Sequence, residues 1–335
     1  MAANATIKHV AREAGVSVAT VSRVMNESSL VTEHTRVQVL EVATRLGYVP
    51  HGGARSLITN RTSTIGVLLP DLYGEFFSEV IRGIDQTARR HHYHVLVSSS
   101  HADQKDIEAV LRSMRGRVDG LILMVPEIQV PPAVALLPED FPLVLVNCSD
   151  ESGHHDAITV ANYDGAYAMT MHLLGLRHRQ IAMITGTPRN LDAAERLRGY
   201  RAALKDAGIS PDGALELSGD FSETSGFHAA VELARRPFRP SAVFAANDAM
   251  AIGALSAFRD AGLSVPNDVA VVGFDDIPMA RFVEPPLSSV HVDISALGEC
   301  ATLRLLQAMQ QPEVHEVRRE IMPTTLVVRR SCGTQ

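Results

Sequence analysis

The sequence predicts an α/β protein, with an N-terminal helix-turn-helix unit followed by a two-lobed core of doubly wound parallel sheets. From Ser63 onward, continuous apolar runs alternate with helical patterns, and this alternation occurs in two rounds. Runs that are apolar throughout are typical of parallel strands covered on both faces, and their alternation with helices indicates βαβ units. Two rounds predict two lobes with a cleft between them. The N-terminal unit is predicted from two short helical patterns joined at Gly15.

Length and composition are those of an ordinary globular protein. The 335 residues are enough for two or three compact units, and 46% are hydrophobic and 21% charged. No apolar run reaches roughly 18 residues, so no transmembrane helix is expected. The N-terminus lacks the basic start and apolar stretch of a secretory signal. Three widely spaced cysteines fit a reducing compartment better than a disulfide framework or a zinc site. A cytoplasmic protein is therefore predicted.

Charge is distributed unevenly along the chain. The net charge is −7, yet residues 1–62 carry seven Lys and Arg against four Glu. The remainder carries 24 basic and 34 acidic residues, a net charge of −10. A modestly basic head can bind phosphates locally on an otherwise acidic protein. Chance clustering in a short segment would give the same asymmetry. The charge distribution therefore supports phosphate binding only together with the helix pattern.

The segment Thr6–Asn26, TIKHVAREAGVSVATVSRVMN, contains the two helical patterns and the turn. Thr6 is the candidate N-cap of the first helix, and Ser17 is that of the second, Val18–Met25. In the first pattern apolar residues recur at helical spacing, at Ile7, Val10, Ala11 and Ala14.

The second helix has two distinct faces. Val21 and Val24 face inward. The opposite, outward face is formed by Val18, Ala19, Ser22 and Arg23. The major groove of DNA admits one α-helix and exposes base edges that side chains can distinguish, so a DNA-reading helix-turn-helix needs such a face. A small helical hairpin without a nucleic-acid role fits the spacing as well.

A third helix is predicted over Glu33–Leu46, with Thr32 as its N-cap. The residues expected to face inward are Val37, Leu40 and Ala43 or Thr44. Three short helices can then bury one small core. Residues 47–50 end this unit, because a proline disfavours helix at the residue before it.

The segment Thr6–Asn26 closely resembles the N-terminal signature of the LacI/GalR family of bacterial transcription regulators, down to its VSxATVSRVxN core. The resemblance implies that Val18, Ala19 and Arg23 read bases. Arg23 would fork onto guanine, and the other two would offer apolar contact. The residues at family positions that hold phosphates and fix the register are Ser17, Thr20, Ser22, Asn26, Thr35 and Tyr48. Thr6 is a further predicted DNA contact.

The segment after the third helix reads as a linker because it contains paired glycines, Gly52 and Gly53. The resemblance implies more. Residues 54–57, ARSL, match the end of the family's hinge, which becomes a short helix when the dimer occupies its operator. Arg55 and Leu57 are therefore predicted DNA contacts, with Leu57 a wedge that kinks the duplex from the minor groove. The two glycines depart from the family pattern, and each costs a helix about 0.8–1.0 kcal/mol relative to alanine.

The alternating region predicts these strands and helices in detail. The strands are residues 65–70, 94–99, 120–125, 143–147, 181–185, 214–217, 242–246, 269–274, 317–321 and 325–328. The helices are residues 75–91, 105–115, 164–174, 193–207, 222–235, 248–261 and 295–309.

This arrangement is that of the periplasmic-binding proteins, and the family resemblance continues through it. In the family the chain crosses between lobes three times, so each lobe is discontinuous. The predicted domains are residues 1–47 for DNA binding, 48–62 for the hinge and 63–335 for a periplasmic-binding-protein-like effector core. The first lobe takes residues 63–162 and 292–322, and the second takes residues 163–291 and 323–335.

Polar and aromatic residues follow several predicted strands, and ligands bind at the carboxyl ends of strands in such sheets. Sugar hydroxyls need rigidly held donors and acceptors, and the C–H side of a sugar ring needs an aromatic face. The candidates that supply these groups are Phe76, Phe77, Arg196, Phe221, Asn247 and Asp275. Without the family, the aromatics fit a core role, Asn247 a helix cap, Asp275 a turn and Arg196 a surface ion pair.

The resemblance assigns a role to each candidate. Arg196 in the RLxGY motif, Asn247 opening NDxMAxG and Asp275 in GFDD would hold the effector. The three phenylalanines would pack against it. Two positions depart from lactose-type and purine-type pockets, namely Val292 and Pro126, where relatives often carry polar residues.

Neither a metal nor a cofactor is expected. His91, His92 and His94 lie where a helix ends and a strand begins, so they point in different directions. The sequence contains no P-loop, GxGxxG, HExxH or GxSxG motif. The chain is therefore not expected to be an enzyme.

Taken together, the residues and the resemblance predict a homodimeric transcriptional repressor that binds a pseudo-palindromic operator in double-stranded DNA. A small molecule in the cleft would control it, with a sugar or sugar derivative expected and a purine corepressor as the alternative. A sugar receptor of the same two-lobed fold without DNA binding, or an enzyme on that fold, would be different classes of protein. No membrane partner is expected.

Overall fold

A computed structural model describes residues 5–25, 30–48, 61–101, 104–126, 134–138, 140–148 and 153–333. The chain divides into two compact units, residues 1–63 and residues 64–335. No helix among the described residues is both long and apolar enough to span a membrane.

The first unit contains three helices, α1 (Ile7–Glu13), α2 (Val18–Met25) and α3 (Glu33–Arg45). Ser17 caps α2 as predicted, because its Oγ accepts a hydrogen bond from the Thr20 N–H at 3.1 Å. The three helices share one small apolar core, formed mainly by Val10, Ala11, Ala14, Val21, Val24, Val39, Val42 and Ala43.

The prediction for the inward face of α3 is wrong at two positions. Val37 and Leu40 are 46% and 45% exposed. Val39, Val42 and Ala43 are buried instead. Both sets have helical spacing, so periodicity alone does not choose between them. The choice depends on which set faces α1 and α2.

The first lobe of the second unit is built on six parallel strands in the order β11-β5-β4-β3-β1-β2. The strands are β1 (Thr64–Leu69), β2 (His94–Ser99), β3 (Gly120–Leu123), β4 (Leu143–Val146), β5 (Asp156–Val160) and β11 (Arg319–Met322). Three helices accompany them, namely α4 (Glu75–Arg90), α5 (Gln104–Met114) and α10 (Ile294–Gln310).

The second lobe is built on a sheet in the order β12-β10-β9-β8-β6-β7, in which only the β10–β12 pair is antiparallel among the described strands. The strands are β6 (Ile181–Thr185), β7 (Glu216–Ser218), β8 (Ala242–Ala245), β9 (Ala270–Asp275), β10 (Ser288–His291) and β12 (Thr325–Val327). The helices are α6 (Asn162–Gly175), α7 (Leu191–Asp206), α8 (Glu223–Ala234) and α9 (Asp248–Asp260).

The predicted fold class is confirmed: two doubly wound sheets follow a helix-turn-helix unit. The chain passes between the sheets three times: between β5 and α6, between β10 and α10, and between β11 and β12. At the first and third passages, the Ala161 N–H donates to the Met322 carbonyl at 2.9 Å. These two connections therefore run side by side.

Two strands were not predicted. β5 begins with a buried charged residue, Asp156, and β10 has the sequence SSVH, with a single apolar side chain. In β10, Ser288 and Ser289 are buried because both hydroxyls form hydrogen bonds with distant parts of the second lobe. An apolar-run criterion therefore misses this strand.

Side-chain caps fix where helices begin in the second unit. Asn190 Oδ1 accepts from the Ala193 N–H at 2.9 Å, and Ser222 Oγ accepts from the Ser225 N–H at 3.1 Å. Asp293 likewise caps α10. These caps satisfy backbone donors that a helix leaves open at its first turn, and two of them stand at the rim of the cleft.

Candidate functional site

A cavity of about 790 Å³ lies between the two lobes. Its walls come from residues at or beyond the carboxyl ends of β1, β2, β3 and β4 in the first lobe and of β6, β7, β8 and β9 in the second. The cavity therefore lies at the carboxyl ends of the strands of both sheets, where ligands bind in such folds. The structure brings together all six predicted effector-contact residues on its walls, namely Phe76, Phe77, Arg196, Phe221, Asn247 and Asp275.

The Arg196 side chain is almost fully buried, at 4% exposure, and several contacts hold it rigidly. Its Nε donates to Asn162 Oδ1 at 2.7 Å, and its Nη1 donates to the Ala246 carbonyl at 2.5 Å. Nη2 lies 3.2 Å from Asp275 Oδ1, and the guanidinium lies 3.7 Å above the Phe274 ring. These contacts fix the orientation of the planar guanidinium group, so Arg196 can bind a ligand with little further loss of side-chain entropy.

Asp275 is the last residue of β9 and begins a strained turn. Its φ is +103°, and that of Asp276 is +54°, a left-handed backbone that residues other than glycine seldom adopt. Burial raises the pKa of Asp275 to about 6, and the neighbouring Arg196 opposes this rise.

A buried carboxyl beneath this turn holds it in place. Asp248 Oδ2 accepts from the Ile277 N–H at 2.8 Å, and its Oδ1 accepts from Ser289 Oγ at 2.6 Å. Burial, reinforced by the nearby Asp275 charge, raises the pKa of Asp248 well above its usual value. Asp248 therefore positions Asp275 without lining the cavity itself.

Asn247 and Phe221 form one local arrangement. Asn247 Oδ1 accepts from the Met250 N–H at 3.0 Å and caps α9, so the cap role is present in the structure. Its Nδ2 donates to the Phe221 carbonyl at 3.0 Å. The Phe221 ring lies on Gly186, where an added Cβ would be 2.2 Å from the ring. Only glycine leaves room for this aromatic wall of the cavity.

Phe76 and Phe77 open α4 and meet edge to face, with ring centroids 5.5 Å apart. Both are half-buried and also pack against the main apolar core. They line the cavity and belong to the core at the same time, so the two roles that the sequence leaves open are compatible here.

Three buried polar atoms on the cavity wall lack a hydrogen-bond partner among the described residues. They are Asn147 Oδ1 from the first lobe, and Thr187 Oγ1 and Asp275 Oδ1 from the second. The Asp275 atom has only its ionic neighbour, Arg196. A buried polar group without a partner costs about 1–3 kcal/mol. A ligand that supplies hydroxyl groups would remove that cost on both sides of the cleft.

Asn147 and Thr187 were not among the predicted site residues. Asn147 directly follows β4, and Thr187 comes two residues after β6. The rule that identifies Asn247 after β8 would have found them too. Asn162 and Asp192 were not predicted either. Both lie in helices, so the rule about residues that follow strands does not identify them. A 2.8 Å hydrogen bond joins the two side chains, and Asn162 also accepts from Arg196.

The cavity wall carries more negative than positive charge. Its basic side chains are Arg189 and Arg196. Its acidic side chains are Asp71, Glu75, Asp192, Asp220, Glu223 and Asp275. Such a wall disfavours an anionic ligand.

In the first unit, the outward face of α2 is available for contact. Val18, Ala19 and Arg23 are exposed, with Val18 at 41%. Thr20 and Ser22 are half-buried beside them, and the Thr20 and Ser17 hydroxyls lie 2.9 Å apart.

The remaining predicted DNA contacts of this unit differ in their surroundings. Thr6 precedes α1 and is exposed, and Thr35 is half-buried in the first turn of α3. Tyr48 packs against the small core. Three predicted contacts lie outside the described residues, namely Asn26, Arg55 and Leu57, as do the paired glycines Gly52 and Gly53.

Comparison with known proteins gives matches to both units. Residues 6–51 match the model of bacterial regulatory proteins of the lacI family, and residues 170–332 match that of the periplasmic binding protein-like domain. The ribose operon repressor of Escherichia coli K12 is 38% identical over 322 residues, which cover 95% of this chain and 97% of that protein. The chain belongs to the LacI family.

Solved structures of LacI-family proteins have the same fold. The lac repressor dimer bound to operator and the anti-inducer ONPF has a TM-score of 0.87 and 31% identity, covering 98% of this chain and 99% of that one. A LacI-family regulator from Enterococcus faecium with bound ribose has a TM-score of 0.73 and 29% identity, covering 80% of this chain and 98% of that one. The family resemblance that the segment Thr6–Asn26 indicates is thereby confirmed, and it extends over nearly the whole chain.

Proposed function

We propose that this LacI-family chain is a transcriptional repressor that binds a pseudo-palindromic operator as a homodimer and is controlled by a neutral sugar in its cleft. One observation carries the proposal. The chain combines an exposed recognition face on α2 with a cleft whose walls leave three buried polar atoms without hydrogen-bond partners among the described residues. The repressor acts in the cytoplasm, where its operator lies, and the function requires no chemical step.

The DNA-binding part of the proposal rests on α2. Two subunits place two copies of this helix in successive major grooves, so operator symmetry follows dimer symmetry. Arg23 reads guanine, and Val18 and Ala19 contact apolar groups such as a thymine methyl. Residues 1–47 form the DNA-binding domain, 48–62 the hinge and 63–335 the effector-binding core.

The effector part rests on the chemistry of the cleft. The Arg196 fork and the Asp275 carboxylate are suited to neighbouring hydroxyls, and the Phe221 ring is suited to the C–H face of a sugar. The excess of carboxylates disfavours a sugar phosphate. Ribose is the first candidate to test, because a ribose operon repressor and a ribose-bound regulator are among the similar proteins.

Polar wall atoms of both lobes, Asn147 from the first and Thr187 from the second, suggest how the effector acts. A sugar that bonds to both stabilises one arrangement of the lobes over the other. Only such differential binding can shift the equilibrium that governs DNA affinity.

Two experiments test the proposal. Footprinting of the full-length protein on the DNA upstream of its own gene should show a protected palindrome, and ribose or a related sugar should change that protection. Absence of protection with and without sugars would contradict the repressor function. Deletion of residues 1–62 should abolish DNA binding and leave sugar binding intact, whereas a plain sugar receptor would never have bound the operator. Turnover of the bound sugar would instead identify an enzyme.

A further inference from the structure

Two loops of the second lobe lie side by side at the amino ends of β6 and β8, whereas the cleft lies at the carboxyl ends. Residues 177–180 lead into β6, and residues 235–241 connect α8 to β8. The Ser241 N–H donates to the Gln180 carbonyl at 2.9 Å, and Ser241 Oγ lies 3.0 Å from His178 Nδ1. These contacts hold the two loops together as one surface.

This surface is rich in exposed arginine. Arg177 and Arg179 lie on the first loop, and Arg235 and Arg239 lie on the second. None of these four guanidinium groups forms an ion pair with any part of the chain that the structure describes. Arg236 in the same loop is different, because it pairs with Glu232. Four positive charges therefore remain uncompensated on an otherwise acidic unit, in which residues 64–335 carry 24 basic and 34 acidic side chains.

The second loop also carries a large exposed aromatic side chain, next to Arg239 in the chain. Phe238 is 85% exposed. It stands between Pro237 and Pro240, whose fixed φ angles restrict the loop in the bound and the free states alike. An exposed aromatic and several arginines on one pair of loops have the composition of a protein-docking hot spot, since both residue types are enriched there.

A groove of about 600 Å³ between β7 and α8 adjoins the loops and shares Arg236 with them. β7 is the edge strand of its sheet. The groove wall includes Leu217 and Ala229, but also Glu216 and Glu232. Glu216 is paired with Arg201, and Glu232 is paired with Arg236. These carboxylates disfavour an acidic ligand in the groove, so the basic surface is confined to the two loops.

We propose that the surface formed by Arg177, Arg179, Arg235, Phe238 and Arg239 docks an acidic segment of a partner protein, with an apolar side chain of that segment against Phe238. Charge complementarity specifies the partner's carboxylates. A long nucleic acid is disfavoured, because it would run from this small basic surface over an acidic lobe. A second copy of the chain using the same face is disfavoured because the arginines would face each other across the twofold axis.

The test measures fluorescence anisotropy with the full-length protein. The probe is a short fluorescein-labelled peptide of Asp and Glu residues around a central Phe-Leu pair. Two comparison probes are the same peptide with Lys in place of every Asp and Glu, and oligothymidylate of equal length. The acidic peptide should bind best, and its affinity should fall as salt is added, because exposed charges are screened.

Variants locate the binding surface. Arg179→Glu and Arg239→Glu should each weaken peptide binding about tenfold, and Phe238→Ala about fivefold. Arg115→Glu, the same charge change on an exposed arginine of the first lobe, should leave peptide binding unchanged. Operator protection and sugar binding should be normal in all of these variants, which separates this inference from the proposed function.

Four results would overturn the inference. They are absence of peptide binding, tighter binding of oligothymidylate that Arg239→Glu abolishes, equal peptide affinity of the Arg239→Glu variant and the unaltered protein, and a change in oligomeric state of Arg239→Glu on ultracentrifugation. The second would indicate a nucleic acid as occupant, and the last a second copy of the chain.

Discussion

Glu75 and Met279 are joined across the cleft by a hydrogen bond. The backbone N–H of Met279, in the second lobe, donates to Glu75 Oε2, in the first, at 2.9 Å. A second link joins the Leu191 N–H to the Pro126 carbonyl at 3.1 Å. Both links exist only while the lobes are close together, so they stabilise the arrangement of the lobes seen here. We expect an effector that bonds to both lobes to favour the same arrangement.

Loss of the Glu75 link should weaken effector binding. Glu75→Ala removes an acceptor worth about 1 kcal/mol net, so closure must be supported by the ligand alone and ribose affinity should fall roughly fivefold. Glu75→Gln keeps an acceptor oxygen and should bind nearly as well as the unaltered protein. Calorimetric titration measures both. Equal affinities for the alanine and glutamine variants would show that the cross-cleft link has no role in binding.

Arg196→Ala should abolish measurable sugar binding and also destabilise the fold. It leaves the buried Asp275 carboxyl without its ionic partner and Asn162 Oδ1 without the Arg196 donor, and breaking a buried ion pair in this way costs about 3–5 kcal/mol. Arg198→Ala on the same helix is the matched control, because its exposed side chain pairs only with Glu195 among described acidic residues. Thermal unfolding and sugar titration should distinguish the two variants, and a stable, sugar-binding Arg196→Ala protein would refute the assigned role.

Sugar affinity should fall as the pH drops through about 6, the raised pKa of Asp275. An ionised carboxylate accepts hydroxyl donors better than the protonated acid does. The sign for stability is opposite. The folded pKa exceeds the usual value of 3.8, so this group reduces the free energy of unfolding as the pH rises from about 4 to about 6. Asp275→Asn should bind weakly and lose the titration centred near 6, which calorimetry on either side of that pH would show. Persistence of the titration in that variant would assign it to another group.

Gly186→Ala should narrow the cleft. The new Cβ would lie 2.2 Å from the Phe221 ring, so the ring must move. Overpacking of this kind lowers the free energy of unfolding by about 1–3 kcal/mol. A displaced Phe221 ring no longer offers the same wall to the ligand, so sugar affinity should also fall. Gly175→Ala, whose added Cβ meets no atom within 4 Å among the described residues, should have no effect on binding. If both variants bind sugar equally, Phe221 does not form the ligand wall.

Arg23→Ala should relax base preference at one position in each half-site, by about 1–3 kcal/mol of discrimination. Val18 and Ala19 offer only apolar contact, so Arg23 is the strong hydrogen-bonding probe of the outward face of α2. Arg12→Ala removes an exposed arginine of α1 outside that face and should leave base preference unchanged. Mobility-shift assays on single-base operator variants compare them. If Arg23→Ala keeps the base preference of the unaltered protein, residues other than Arg23 read the bases.

Features that depend on neighbours along the chain could be predicted from the residues alone. The caps at Ser17 and Asn247 and the apolar face of α1 follow from residues within one or two helical turns. The alternation of strand and helix predicts the two doubly wound sheets. Five of the six residues predicted to bind the effector could be placed because they follow strands that end at a common edge. Arg196 lies within a helix, and the RLxGY resemblance placed it. The tertiary structure then showed all six on the wall of one cavity.

Tertiary structure alone decided what depends on distant partners. Val37 and Leu40 of α3 have the same spacing as the residues that are buried, so only α1 and α2 determine which set faces the core. β10 carries one apolar residue, and its buried serines are satisfied by groups far away in sequence. The arginine-rich loops at residues 177–180 and 235–241 are separated by more than three elements in the chain and become one surface only when β6 and β8 pair. In each case, contacts between residues far apart in sequence determine which side chains are buried or brought together, and local periodicity does not distinguish the alternatives.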